Sequence, residues 1–228
     1  MKRGMKYLLC AILVYVLILS IYLLSPLPEK TGEKANNSLT GAAVIKFEIL
    51  PVCFIPLEQG WNLISFCTNL TNKSVENALS QINNSYRYLM QWNASSQEFM
   101  IYSPLAYSNP FDRFNENLSY FIYFQESNKT DLYCHGNNFN DFNLSLLFGW
   151  NTPTYPYEFA TNITKYLSTL GDKYRYVMKW DASSQEFMIY SPLAYSNPFE
   201  TIFSGEGQFI NIRDAGGAYL FYNRTYLQ

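Results

Sequence analysis

The chain has 228 residues, 48% hydrophobic and only 15% charged, with a formal net charge of -2. This length holds one large domain or two small ones plus a leader, and the apolar content excludes disorder over most of the chain. Lys and Arg are scattered beyond Lys6, so no concentrated basic face forms and a nucleic-acid partner is excluded.

In chain order, the first feature is a basic start (Lys2, Arg3, Lys6) followed by 18 uncharged residues from Tyr7 to Leu24. As a helix that run spans about 27 Å, close to the hydrocarbon thickness of a bilayer. The basic flank places the N-terminus inside and the remainder outside the cell membrane. Residues 1–28 therefore read as a signal anchor with one transmembrane helix (7–24), giving a single-pass membrane protein. The competing reading is a signal peptide whose cleavage leaves a secreted protein. Residues 29–43 (EKTGEKANNSLTGAA) are polar and rich in small residues, and read as a tether.

Asn-x-Ser/Thr sequons begin at Asn36, Asn69, Asn72, Asn83, Asn93, Asn117, Asn128, Asn143, Asn162 and Asn223. All lie beyond the apolar run, on the side assigned to the exterior, which predicts N-glycosylation. The same compartment permits disulfides. Cys53 and Cys67 flank a turn at Glu58–Gly60 that would bring them together, with Cys134 as the alternative partner.

The clearest pattern is a duplication. Residues 86–111 (YRYLMQWNASSQEFMIYSPLAYSNPF) recur at 174–199 as YRYVMKWDASSQEFMIYSPLAYSNPF, and Ala94–Phe111 matches Ala182–Phe199 without a difference. Such a period signals repeat architecture. Two β-rich modules are expected, at 44–142 and 143–228. Each opens on an apolar strand (GWNLISF at 60–66; GWNTPTY at 149–155, interrupted by Pro153). A helix follows, with Val75, Ala78, Leu79 and Ile82 on one face behind a Ser74 cap. Its counterpart carries Ile163, Tyr166, Leu167 and Leu170 and stops at Gly171. A hairpin comes next, in which Tyr86, Tyr88, Met90 and Trp92 share a face and NASSQ turns the chain. Further strands are predicted at 120–124, 131–134, 209–212 and 218–222. The fold class is α+β: two tandem repeats of a mainly antiparallel β module with one helix each, preceded by a single transmembrane helix.

The Gly-Trp-Asn-Leu-Ile-Ser opening (Gly60–Ser65), short helix, Tyr-rich hairpin ending in Trp and closing apolar strand resemble a tandem module of secreted and surface-layer-like proteins in archaea and some bacteria. The resemblance covers residues 44–228 and departs at Thr152-Pro153-Thr154. It implies a fold and a surface location, and carries over no catalytic residues.

Chemistry-bearing constellations are few. His135 is the single histidine and stands in a Gly/Asn-rich stretch, which suits neither a triad nor a zinc site. Glu98 and Glu186 adjoin turns, as solvated carboxylates do. The sequence therefore predicts no enzyme, no cofactor and no metal site. The binding candidates are the duplicated aromatics Trp92, Tyr102, Tyr107, Trp180, Tyr190 and Tyr195, whose rings suit sugar faces or protein contacts. The reading is a structural or adhesive surface protein; the alternative is a receptor for carbohydrate or protein ligands. Expected partners are the membrane and glycans or other surface proteins.

Overall fold

The computed structural model describes residues 51–228. The expected anchor (1–28), the tether (29–43) with Asn36, and residues 44–50 lie outside the described residues. Among the described residues, no helix is long and apolar enough to cross a membrane. The described residues, 51–228, belong to one compact unit.

The first half runs β1 (Val52–Leu57), β2 (Gly60–Ile64), β3 (Asn69–Leu70), α1 (Val75–Ala78), a 3-10 turn (Ser80–Ile82), β4 (Tyr86–Asn93), β5 (Glu98–Tyr102), β6 (Tyr120–Phe124) and β7 (Thr130–Asn137). The second half runs β8 (Phe142–Leu146), β9 (Gly149–Asn151), β10 (Thr161–Asn162), α2 (Ile163–Tyr166), a 3-10 turn (Ser168–Leu170), β11 (Tyr174–Asp181), β12 (Glu186–Tyr190), β13 (Thr201–Ile202), β14 (Gln208–Ile212), β15 (Ala218–Tyr222) and α3 (Arg224–Leu227). The protein is β-rich, its paired strands are antiparallel, and its helices are few and one turn long.

The helix expected over Val75–Ile82 is two short pieces. Ser74 caps α1, its Oγ accepting from the Asn77 amide at 3.3 Å. The chain then tightens into the 3-10 turn, which still turns Leu79 and Ile82 inward beside Val75. Asn162 caps α2 in the same way, and Gly171 ends the second 3-10 turn at φ 54°. One α turn followed by a 3-10 turn preserves the buried stripe while shortening the element.

Two four-stranded sheets dominate, with strand orders β2-β6-β4-β5 and β9-β14-β11-β12. The central strands β6 (YFIYF) and β14 (QFINI) are buried almost throughout, as expected for strands covered on both faces. The outer cover of the first sheet is its own core, built from Leu89, Tyr120, Ile122, Phe66, Val75 and Leu79. The second sheet has a counterpart with Val177, Ile210, Tyr166 and Leu170. The expected alternation in β4 fails at its start. The β4–β6 register shifts between Tyr86 and Tyr88, and this bulge turns Tyr86 into the same core as Leu89. The identical shift occurs between Tyr174 and Tyr176.

The inner faces of both sheets meet in a third cluster. Leu63, Phe121 and Phe209 form its buried centre, with Trp61, Met90, Trp92, Trp150, Met178 and Trp180 packed around them. The Phe121 and Phe209 ring centroids are 6.1 Å apart, and Trp180 meets Phe121 edge-on at 5.4 Å. The backbone also crosses this seam: Ser65 N donates to Gly205 O and Gly207 N to Leu63 O, each at 2.9 Å. On the opposite side Ser119 N donates to Thr152 O at 2.7 Å and Thr154 N to Asn117 O at 3.0 Å. Gly207 sits at this crossing because it has no side chain: a Cβ there would lie 2.8 Å from Leu63 Cγ. The expected strand over 149–155 ends early, at Asn151, and Pro153 beyond it pairs with Leu118 across the seam through an isolated bridge.

Cys53 and Cys67 form a disulfide with a Cα–Cα distance of 5.4 Å. The reason is not the hairpin read from sequence, because β1 and β2 belong to different sheets and β1 pairs with β7. The disulfide instead ties β1 to the segment leaving β2. Cys134, the register partner of Cys53 across β1–β7, is a buried free thiol, and burial pushes its pKa up to about 12.

Candidate functional site

The six duplicated aromatics separate into three environments. Trp92 and Trp180 belong to the seam. Trp92 Nε1 donates to Trp150 O at 2.9 Å and Trp180 Nε1 to Trp61 O at 2.7 Å, so both indole N–H groups are committed across the two sheets. Tyr102 and Tyr190 turn toward the cores, against Phe111 at 5.8 Å and Phe199 at 6.0 Å. Tyr107 and Tyr195 stand fully in solvent, at 106% and 107% relative exposure. No single cleft gathers the six.

The hairpin turns are not free surface either. Ser95 and Ser96 are exposed, but Gln97 reaches across the seam: its Oε1 accepts from Trp150 N at 2.8 Å and its Nε2 donates to Trp150 O at 3.0 Å. Gln185 grips Trp61 with the same two bonds. Asp181 and Ala182, in the second turn, line a cavity of about 200 Å³ with Trp180, Leu63, Glu58 and Glu206. The Gln97 and Gln185 contacts escaped sequence reasoning, although both residues lie in the unchanged block. Their partners are some 53 and 124 positions away, beyond any local pattern.

What both halves present outward is the loop SPLAYSNP. Each loop is pinned by an asparagine: Asn109 Oδ1 accepts from Ser103 N at 2.8 Å and its Nδ2 donates to Ser103 O at 3.1 Å. Asn197 repeats both bonds to Ser191 at the same distances. These closed loops hold Leu105 and Leu193 at 90% exposure beside the fully exposed Tyr107 and Tyr195.

At the base of each loop is a cavity. The first, about 400 Å³, is lined by Tyr86, Arg87, Pro104, Leu105, Asn83 and Gln125. The second, about 430 Å³, is lined by Tyr174, Arg175, Pro192, Leu193, Asp172 and Arg213. Tyr, Arg, Pro and Leu recur at matching positions, while Gln125 is replaced by Arg213. Burial first, then the nearby Tyr190 hydroxyl, pushes the Tyr174 phenol up to about 12. The size lies within the usual range for small-ligand sites.

Of the expected glycosylation positions, Asn69, Asn72, Asn83, Asn128, Asn143 and Asn162 are exposed, and Asn93, Asn117 and Asn223 are half-buried. Asn223 Nδ2, the atom a glycan would use, donates to Asp141 at 2.8 Å. His135, Glu98 and Glu186 are exposed, and among the described residues no group of three His, Cys, Asp or Glu side chains could hold a metal ion.

No protein-family model matches the chain, and no curated protein or solved structure matches it.

Proposed function

We propose that this chain is an anchored, N-glycosylated surface protein of two tandem modules with an adhesive role, its C-terminal mass held outside the cell membrane by residues 7–24. The apolar run, the sequons beyond it and the resemblance of Gly60–Ser65 to surface-protein modules support the location. The carrying observation for adhesion is the pair of pinned loops that hold Leu105 with Tyr107, and Leu193 with Tyr195, in solvent. Two equal contact points on one rigid body allow bivalent attachment, which strengthens weak contacts without new ones.

The test is display of the full chain on cells, with and without the combined Leu105→Ser, Tyr107→Ser, Leu193→Ser and Tyr195→Ser replacements. Wild-type cells should cluster and the variant, with unchanged thermal midpoint, should not. Equal clustering, or a cytosolic reporter fused after Gln228, would end this reading. A receptor role is the second reading, and the duplicated cavities beneath the loops favour it.

A further inference from the structure

We infer that a glycan on Asn143 lies down on the protein, its first sugar ring seated on Phe221 and Tyr219, where the first half of the chain uses an aromatic side chain instead. The inference rests on the glycosylated surface reading and adds the place at which one sugar touches protein.

The two halves correspond residue by residue here. Strand β1 pairs with β7 in the first half, and β8 pairs with β15 in the second; the registers set Phe54 opposite Tyr133 and Asn143 opposite Phe221. A side-chain bond marks the same equivalence. The Tyr133 amide donates to Gln81 Oε1 at 3.0 Å, the Phe221 amide donates to Thr169 Oγ1 at 3.1 Å, and donor and acceptor are 52 positions apart in both halves. In the first half Phe54 meets Tyr133 edge-on, with ring centroids 5.2 Å apart. In the second half Asn143 stands where Phe54 would, so Phe221 faces a short amide. On the same outer face Ser145 lies opposite Tyr219, which is 69% exposed.

Asn143-Leu144-Ser145 is a sequon, and Asn143 and Ser145 are both exposed. Asn143 Nδ2 has no hydrogen-bond partner among the described residues, unlike Asn223 Nδ2, which Asp141 holds. Attachment forms a bond from Nδ2 to C1 of the sugar. The C1–O bond to a glycosyl-phosphate donor breaks, the phosphate keeps that electron pair, and one Nδ2 proton leaves to a base; nothing is oxidised or reduced. Directly opposed residues of an antiparallel pair have Cβ atoms roughly 5 Å apart, so the linked pyranose begins within reach of the Phe221 ring. One face of a pyranose carries mostly C–H groups, which suit an aromatic face while the hydroxyls stay in water. Phe221 and Tyr219 side by side give it a platform longer than one ring. A protein partner would have to displace this covalently tethered sugar from the same two rings.

The test uses the full chain in detergent, produced in cells that attach high-mannose N-glycans, with glycopeptide mapping to establish occupancy of Asn143. Asn143→Gln should lower the thermal midpoint by about 3 °C, the size expected of one ring contact in a domain of this length. On a Phe221→Ser background the same substitution should shift it by less than about 1 °C. Trimming the glycan to its first sugar with an endoglycosidase should leave the midpoint in place, because only that sugar meets the rings. In protein from cells that attach no N-glycan, Asn143→Gln should be neutral and Asn143→Phe stabilising, after the pattern of Phe54 and Tyr133. Equal falls with and without the Phe221 ring would overturn the seating. An unmodified Asn143 beside occupied sequons would overturn this inference and leave the surface reading standing, with the two rings open to a protein partner. If no asparagine carried a glycan, both would fall.

Discussion

The Gln185 side-chain amide satisfies both backbone groups of Trp61: Oε1 accepts from the Trp61 amide at 2.8 Å and Nε2 donates to its carbonyl at 3.0 Å. A side chain here does what a neighbouring strand would do, in the half of the chain that does not own the tryptophan. Gln97 does the same for Trp150. Gln185→Ala removes two hydrogen bonds, each worth roughly 1 kcal/mol, and leaves the Trp61 amide without its partner while the carbonyl keeps the bond from Trp180 Nε1. The expected loss is about 2 kcal/mol, readable by urea unfolding. Gln97→Ala should cost a similar amount, and unfolding of both variants should stay a single transition.

Gly60 and Gly149 face these amides at φ 97° and 92°, and a Cβ on Gly60 would lie 2.6 Å from Gln185 Oε1. Gly60→Ala therefore combines an unfavourable backbone with displacement of the amide. It should destabilise by about 2–3 kcal/mol. Made on a Gln185→Ala background, the same substitution should cost less, because only the backbone contribution remains. A thermodynamic cycle measures the difference.

The disulfide closes a short loop, with Cys53 and Cys67 separated by 14 positions. Loop-entropy reasoning gives about 3 kcal/mol for a loop of that size. Cys53→Ala with Cys67→Ala should lower stability by about that amount, seen as a fall in thermal midpoint. Cys134, buried and with its thiol pushed up to about 12, should resist iodoacetamide at neutral pH in the folded protein and react once denatured.

Much of this architecture was legible in the sequence, and the parts that were not have physical causes. The buried stripes of Val75–Ile82 and Ile163–Leu170 follow directly from spacing, although each element divides into two short turns. The strands at 120–124 and 218–222 announce themselves by apolar runs and alternation. Strand β1 carries alternation as clear as any, in VCFIPL, yet its partner β7 is more than seventy residues away. The Tyr86 bulge breaks a pattern that reads as continuous, since nothing local distinguishes an inserted residue from a regular one. For the candidate site, the sequence points to Tyr107 and Tyr195, whereas nothing in the local pattern distinguishes Arg87, Arg175, Leu105 and Leu193 in the same block. What singles them out is the cavity, which only the folded loop creates.

Alkaline pH should act through the buried phenols. Tyr174 is raised from its ordinary 10.0 to about 12, and burial is the first cause. A raised folded value means the unfolded chain ionises first. Stability from this group is therefore complete below about pH 10 and falls as the pH rises through about 12. Thermal midpoints measured between those values should decline, and Tyr174→Phe should shallow the slope. Tyr157, raised to about 12 by burial first and by nearby Asp141, should act in the same direction.

The seam of tryptophans and phenylalanines has a consequence for how such a chain comes to exist. Each half offers the other the same grip that it receives, a turn glutamine for a tryptophan backbone. A polypeptide carrying one half alone would leave this aromatic face uncovered and would find a matching cover in a second molecule of itself. Joining the halves in tandem turns that concentration-dependent encounter into an intramolecular one, at an effective local concentration on the order of millimolar. It also frees the two copies to drift apart where they do not touch, and the cavity lined by Gln125 in one half and Arg213 in the other is such a place.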